Sequence, residues 1–182
     1  MKKLNLPLSA EQRDSLKAGE MVLLSGVMYT ARDAAHKRLI EMLDRGETLP
    51  LPLVDQTIYY VGPTPAPQGH VYGSAGPTTS MRMDGFVKMT FEQGIVAMIG
   101  KGDRSDYVAD LCREYGGAYL LSIGGASAMI SNQVKTCEVV AYEDLGTESV
   151  KKLYVEDLRV IVGIDTKGQV FQKREIEKYR RA

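Results

Sequence analysis

Three stretches place charge-binding or proton-handling groups where a strand or a loop gives way to a helix. They hold Arg32 in YTARDAAHKR, Thr78 and Arg82 in GPTTSMRMD, and Lys101 in IGKGDRS. Open α/β sheets present their ligands at such places, outside the carboxyl ends of the strands, and helix N-termini offer free N–H groups to anions. Arg32 falls in a first helical turn, where a cation opposes the helix dipole at a cost of about 0.3–1 kcal/mol. Its everyday role there would be an ion pair with Asp33 or another nearby carboxylate. A helix beginning near Thr78 would put Thr78 and Arg82 four residues apart on one face, flanking the apolar stripe Met83, Val87 and Phe91. The plainer reading makes Thr78 or Thr79 an N-cap, Arg82 a solvated side chain and Asp84 its ion-pair mate.

Lys101 stands between Gly100 and Gly102, which keep the backbone there close and unobstructed. The G-x-G-x-x-S spacing suggests a dinucleotide loop. Ser105 replaces the third glycine, however, and no acidic residue follows at the expected distance, since that region reads LLSIGGASAM. A Walker A loop fails too, because Gly102 follows the lysine. Arg32, Arg82 and Lys101 are therefore three cations that an α/β sheet could bring to one edge. Their natural ligand is a small dianion such as a dicarboxylate or phosphate, which a guanidinium fork matches bidentately. His36, one helical turn from Arg32, is the nearby candidate base, although a histidine so placed is more often a packing residue. Residues alone carry the reading to an anion site and leave catalysis open.

The elements that must position these groups follow from periodicity. MVLLSGVMYT (21–30) reads as a buried strand. A helix follows, with Thr30 as N-cap, Asp33 three residues on, Ala35, Leu39, Met42 and Leu43 at helical spacing, and Gly46 at its end. Strands are expected at 57–62, 94–100 and 118–125, and helices at 79–94, 103–117 and 126–131. The Pro/Gly-crowded loop 63–77 is long enough to suggest a functional excursion within one domain. The C-terminal part is β-rich, with a turn at Asp165–Gly168 and a last charged helix. Alternating strands and helices argue for an α/β fold with some parallel pairing.

Composition narrows the partners. Of 182 residues, 23 are Lys or Arg and 23 are Asp or Glu, so no electrostatic footprint for nucleic acid is present. No stretch approaches the roughly 18 apolar residues of a membrane span. MKKLNLPLSAEQRDSL lacks the apolar run of a signal peptide, so a cytoplasmic location is expected. The two cysteines, Cys112 and Cys137, lie far apart and far from His36 and His70. They are too few ligands for zinc or an iron–sulfur cluster held by this chain alone. Cys112 falls on the stripe Tyr107, Val108, Leu111, Cys112 and Tyr115, as a buried structural thiol would.

With YTARDAAHKR, GPTTSMRMD and IGKGDRS in this order and spacing, the chain resembles the iron–sulfur hydro-lyases of the class I fumarase and L-tartrate dehydratase group. The likeness is to their C-terminal part, a separate β subunit in two-subunit members, and runs from about residue 5 to 175. It implies a swivelling β/β/α-type single domain, residues 1–182, with a mixed sheet and a β-rich C-terminal part. It also implies a hetero-oligomer with an α subunit that carries a 4Fe-4S cluster through three cysteines. The implied activity is reversible hydration of fumarate to L-malate; an L-tartrate dehydratase β subunit and a non-catalytic small-dianion-binding domain are the alternatives. Thr78 matches the family's threonine proposed as the base for the C3 proton. Arg32 and Arg82 match its substrate-carboxylate arginines, and Lys101 the lysine that completes the anion clamp.

Overall fold

The computed structural model describes residues 1–122 and 127–180. A first strand, β1 (Lys2–Leu6), and a short helix, α1 (Ala10–Asp14), precede the long strand β2 (Met21–Thr30) and helix α2 (Asp33–Asp44). Strand β3 (Thr57–Tyr59) leads through the loop to a 3-10 helix (Ser80–Phe86) that runs into α3 (Val87–Glu92). Then come β4 (Ala97–Gly100), α4 (Asp106–Tyr115), β5 (Ala118–Ser122), α5 (Ser127–Gln133) and β6 (Val134–Ala141). A second 3-10 helix (Glu143–Glu148), the 15-residue β7 (Val150–Ile164) and α6 (Phe171–Tyr179) complete the order.

The strands form one sheet ordered β1-β2-β3-β4-β5-β7-β6, with a further pairing between β2 and β7. Strands β1 to β5 run parallel, and β7 runs antiparallel to β2, β5 and β6. The length of β7 makes the extra pairing possible. One of its edges pairs with β2 from Lys152 to Ile161, while the other pairs with β6 at its start and with β5 at its end. The path β2–β3–β4–β5–β7 therefore returns to β2 and closes on itself. This mixed, strand-rich α/β architecture agrees with the class read from periodicity.

Two-residue alternation sorts the side chains into two cores. Tyr59, Val61, Ala97, Ile99, Ala118 and Leu120 point into the ring, where they meet Leu153, Val155, Val160 and Val162 of β7. Ile58, Tyr60, Met98 and Tyr119 point outward, where α2, α3 and α4 bring Leu39, Val87, Phe91, Val108 and Leu111. Gly26 shows why β1 can lie so close to β2. Its φ is +130°, and a Cβ there would stand 2.4 Å from the Leu6 carbonyl oxygen.

Several boundaries differ from the sequence reading. Helix α2 starts at Asp33 with Arg32 as its N-cap, not Thr30. The Thr30 hydroxyl instead donates to the Ser149 carbonyl (3.3 Å) and accepts from the Lys151 amide (3.0 Å), so it is spent tying β2 to β7. The helix expected at 79–94 opens as a 3-10 helix at Ser80. Thr78 lies outside it, because its amide donates to the Tyr60 carbonyl (3.0 Å). Residues 123–126, which the sequence reading gave to a strand end and a helix start, lie outside the described residues. The Asp165–Gly168 turn is present, closed by Gly168 N–H donating to the Asp165 carbonyl at 3.0 Å.

Candidate functional site

The four candidate residues gather at the carboxyl ends of three adjacent parallel strands, β2, β3 and β4. Arg32 follows β2 directly, and the amide of the preceding Ala31 donates to the Tyr59 carbonyl of β3 (3.2 Å). Thr78 is held against the end of β3 by its bond to Tyr60 and by the bridge between Val61 and Pro77. Lys101 follows β4, and its backbone forms a parallel bridge with Thr79. Neighbouring strands are about 4.8 Å apart, so three strand ends span on the order of 10 Å. Arg82 reaches the same edge from the 3-10 helix. The loop 63–77 is thus the excursion that delivers Thr78 to the strand ends.

Close packing at Lys101 depends on Gly100. The Ser80 hydroxyl accepts from the Lys101 amide (2.8 Å), and the Ser80 amide donates to the Lys101 carbonyl (2.9 Å). A Cβ on Gly100 would fall 1.9 Å from that hydroxyl. The expectation that glycine keeps the backbone unobstructed here is met at Gly100, whereas Gly102 meets a different need, with φ at +81°.

Carboxylates already stand among the cations. Asp33 lies between the two arginines, 3.2 Å from Arg82 Nη2 and 3.7 Å from Arg32 Nη2. Glu148, from the second 3-10 helix, lies 3.4 Å from Arg32 Nη2. The plain expectation that Arg32 pairs with Asp33 or a nearby carboxylate therefore holds, and Arg32 is only 20% exposed. Arg82 is 57% exposed. The Lys101 ammonium has no ion-pair partner among the described residues. The edge keeps a net positive charge facing outward from Lys101 and Arg82.

Asp84 is not the mate of Arg82. Its carboxylate pairs with Arg104 Nε at 2.5 Å, the two side chains 6% and 1% exposed, and accepts from the Ser105 amide at 2.7 Å. The Arg104 guanidinium lies over the Tyr119 and Tyr60 rings, 4.7 and 5.4 Å from their centroids. This buried pair joins the 3-10 helix that carries Arg82 to the loop that carries Lys101. Sequence reading missed it because the partners are 20 residues apart and each sits in a stretch that reads as polar surface.

His36 is fully buried, stacked on Phe86 with ring centroids 5.1 Å apart. Its Nδ1–H donates to the Arg32 carbonyl (2.8 Å), since a carbonyl can only accept. Burial lowers its pKa from 6.5 to about 4, so near neutrality it is an uncharged packing group with no path to a substrate. The unfolded chain would bind a proton at this ring between pH 6.5 and 4 and the folded chain would not. Stability contributed by neutral His36 is therefore present above pH 6.5 and lost as the pH falls, by up to about 3 kcal/mol. Urea midpoints of the wild type and His36→Gln between pH 4 and 7 should show this slope in the wild type alone. Equal slopes would remove the argument.

No group of three or more His, Cys, Asp or Glu residues placed to hold a metal occurs among the described residues. Cys112 is buried, with its thiol pushed up to about 12 by burial, as expected of a structural thiol. Cys137 lies half-buried on β6. These residues do not fit an iron–sulfur cluster, which takes more thiolate ligands than two separated cysteines offer. A cavity of about 340 Å³ lies between the 63–73 loop and β6–β7, lined by Pro63, Tyr72, Cys137 and Lys151 among others, and by none of the four candidates. No described helix is long and apolar enough to cross a membrane.

A family model described as Fumarase C-terminus matches residues 1–175. The aerobic class I fumarate hydratase of Salmonella typhimurium is 41% identical over 172 residues, which cover 92% of this chain and 30% of that protein. Fumarate hydratase 2 of Leishmania major is 40% identical over 160 residues, 87% of this chain and 28% of that protein. The L(+)-tartrate dehydratase subunit beta of Escherichia coli K12 is 33% identical over 174 residues, 92% of this chain and 85% of that subunit. The chain thus spans less than a third of the fumarate hydratases it matches and most of the tartrate dehydratase subunit.

Proposed function

The chain belongs to the fumarase C-terminus family, and on that footing we propose that it supplies part of a hydro-lyase active site for a small dicarboxylate, with fumarate and L-malate as the substrate pair. In this reading Arg32 and Arg82 receive substrate carboxylates, Lys101 completes the cationic clamp, and Thr78 handles the C3 proton. The single observation that supports it most is that Arg32, Thr78, Arg82 and Lys101, spread over 70 residues of chain, come to one carboxyl edge of β2, β3 and β4.

The chemistry suits that arrangement. Dehydration of L-malate breaks the C3–H and C2–O bonds, and the electron pair released at C3 flows first toward the neighbouring carboxylate. Fixed cations stabilise the charge that builds there without having to reorganise. A free threonine hydroxyl is a poor acceptor of a carbon-bound proton. Adjacent positive charge favours its ionised form, and Lys101 and Arg82 stand at the neighbouring strand end and turn. The proton taken from C3 leaves with the departing hydroxyl as water.

An α-type partner would carry the family's 4Fe-4S cluster, which would supply a Lewis acid toward the hydroxyl. The name of the tartrate dehydratase subunit supports a hetero-oligomer. The same subunit supports L-tartrate as the alternative substrate.

The purified chain alone should show no dehydratase activity, and anaerobic addition of a cluster-bearing α-type subunit should restore it, with fumarate and L-tartrate assayed side by side. Activity from this chain alone, without iron, would overturn the proposal. Tight binding of malate or tartrate by the isolated chain, with no partner recovered with it, would favour a non-catalytic dianion-binding domain.

A further inference from the structure

Lys151, near the start of β7, is 9% exposed and has no carboxylate partner among the described residues. Its ammonium donates to carbonyl oxygens of Gly146 (3.0 Å), Thr147 (3.3 Å) and Ser149 (3.3 Å) and to the Ser149 hydroxyl (2.6 Å). An ammonium has three protons to share, and here they draw one short turn together around a single cation. The Ser149 hydroxyl in turn donates to the Gly146 carbonyl (2.7 Å). Thr30, the last residue of β2, ties the same turn to the strand that ends beside Arg32.

This turn presents Glu148. One of its carboxylate oxygens lies 3.4 Å from Arg32 Nη2, and the other accepts from the Ala34 amide at 3.2 Å in the first turn of α2. The N-cap residue of α2, Arg32, makes no side-chain capping bond, so Glu148 supplies from a distant element what a local Ser or Asp normally would. A negative group at this helix end is also favoured by the dipole. Arg32 Nε is buried and has no hydrogen-bond partner among the described residues, so the guanidinium is placed through its Nη2 end.

We propose that Glu148 is the positioning residue for Arg32, and that the Lys151 ammonium holds the Gly146–Ser149 turn so that Glu148 cannot drift. The part concerning substrate rests on the reading of Arg32 as a carboxylate receptor. Without Glu148, Arg32 is left with Asp33, the carboxylate that Arg82 also uses, and both guanidiniums lose their separate placements.

Glu148→Gln is the informative change, because it keeps an oxygen for the Ala34 amide and removes the charge beside Arg32. In the complex with a cluster-bearing partner, KM for the dicarboxylate should rise about tenfold with kcat changed far less, the signature of lost uniform binding. A carboxylate that merely neutralised excess positive charge would give the opposite sign, since its removal would lower KM. A second readout needs no activity. In the isolated ¹⁵N-labelled chain, the buried Arg32 Nε–H should exchange slowly, and this protection should vanish in Glu148→Gln while the Ala34 amide stays protected. Lys151→Met should also abolish the Arg32 protection. An unchanged or lowered KM, or an Arg32 signal indifferent to Glu148→Gln, overturns the proposal. If the wild-type complex is inactive, the hydro-lyase reading falls, and the Arg32 signal alone decides the positioning role.

Discussion

Thr78→Val, in the chain assembled with a cluster-bearing partner, is expected to lower kcat by about 10²–10⁴-fold, the usual worth of a positioned proton-transfer group. Valine keeps the β-branched shape and the backbone bond from residue 78 to the Tyr60 carbonyl, so the change removes the hydroxyl and little else. That hydroxyl makes no hydrogen bond to any described residue and is only partly buried. Folding stability should therefore move by no more than about 0.5 kcal/mol. On the proposed assignment KM should hardly change, because the hydroxyl would act on the C3 proton while the cations would bind the carboxylates. Thr78→Ser should recover much of the rate. A kcat within about threefold of wild type would strip Thr78 of any part in proton transfer.

The largest effect on stability is expected at the buried pair beneath the site. Asp84→Ala leaves Arg104 charged, 1% exposed and without its carboxylate, which typically costs about 3–5 kcal/mol. In a chain of this size that lowers the melting temperature by on the order of 10 °C. The Tyr60 and Tyr119 faces still attract the guanidinium, but a cation over a ring is worth about 0.5–2 kcal/mol, too little to compensate. The double change Asp84→Leu with Arg104→Met removes both charges and should regain most of the lost stability. It does not restore the bond from the Ser105 amide, so the turn carrying Arg82 and the loop carrying Lys101 are no longer tied together. The double variant should thus be stable yet impaired in kcat/KM. Melting curves and steady-state kinetics on both variants test this, and a single variant as stable as wild type would show that the pair anchors nothing.

The layer architecture was legible because its signals are local. MVLLSGVMYT, TIYYVG and GIVAMIG are apolar runs bounded by turn residues, and α4 carries its stripe at helical spacing. Strand β1 went unread because its alternation, with Leu4 and Leu6 buried, is only five residues long and stops at Pro7. The first half of β7 was obscured by alternation with Lys151, Lys152 and Glu156, one of which is in fact buried.

At the site, sequence named residues that the fold brings to one edge, on an imperfect geometric argument. Thr78 and Arg82 do not share a helix face; backbone pairing at the strand ends brings Thr78 in, and the 3-10 helix brings Arg82. Asp33 could be suspected from its place beside Arg32. Glu148 could not, since 116 residues separate it from Arg32 and nothing in its own neighbourhood marks it. Long-range pairing of this kind is set by how β7 closes the ring.

That closure bears on how the chain resists aggregation. A sheet exposes unpaired backbone groups along its borders, and such borders recruit other strands into aggregates. Because β7 hydrogen-bonds on both sides, the strands that carry the candidate edge have no open border of their own; among the described strands the open ones are β1 and β6, at the two extremes of the order. Strand β1 is five residues long, and β6 carries Lys135 and Glu138, features that discourage edge-to-edge growth. The charged face at the ends of β2, β3 and β4 can thus stand open to water without a template for misassembly beside it.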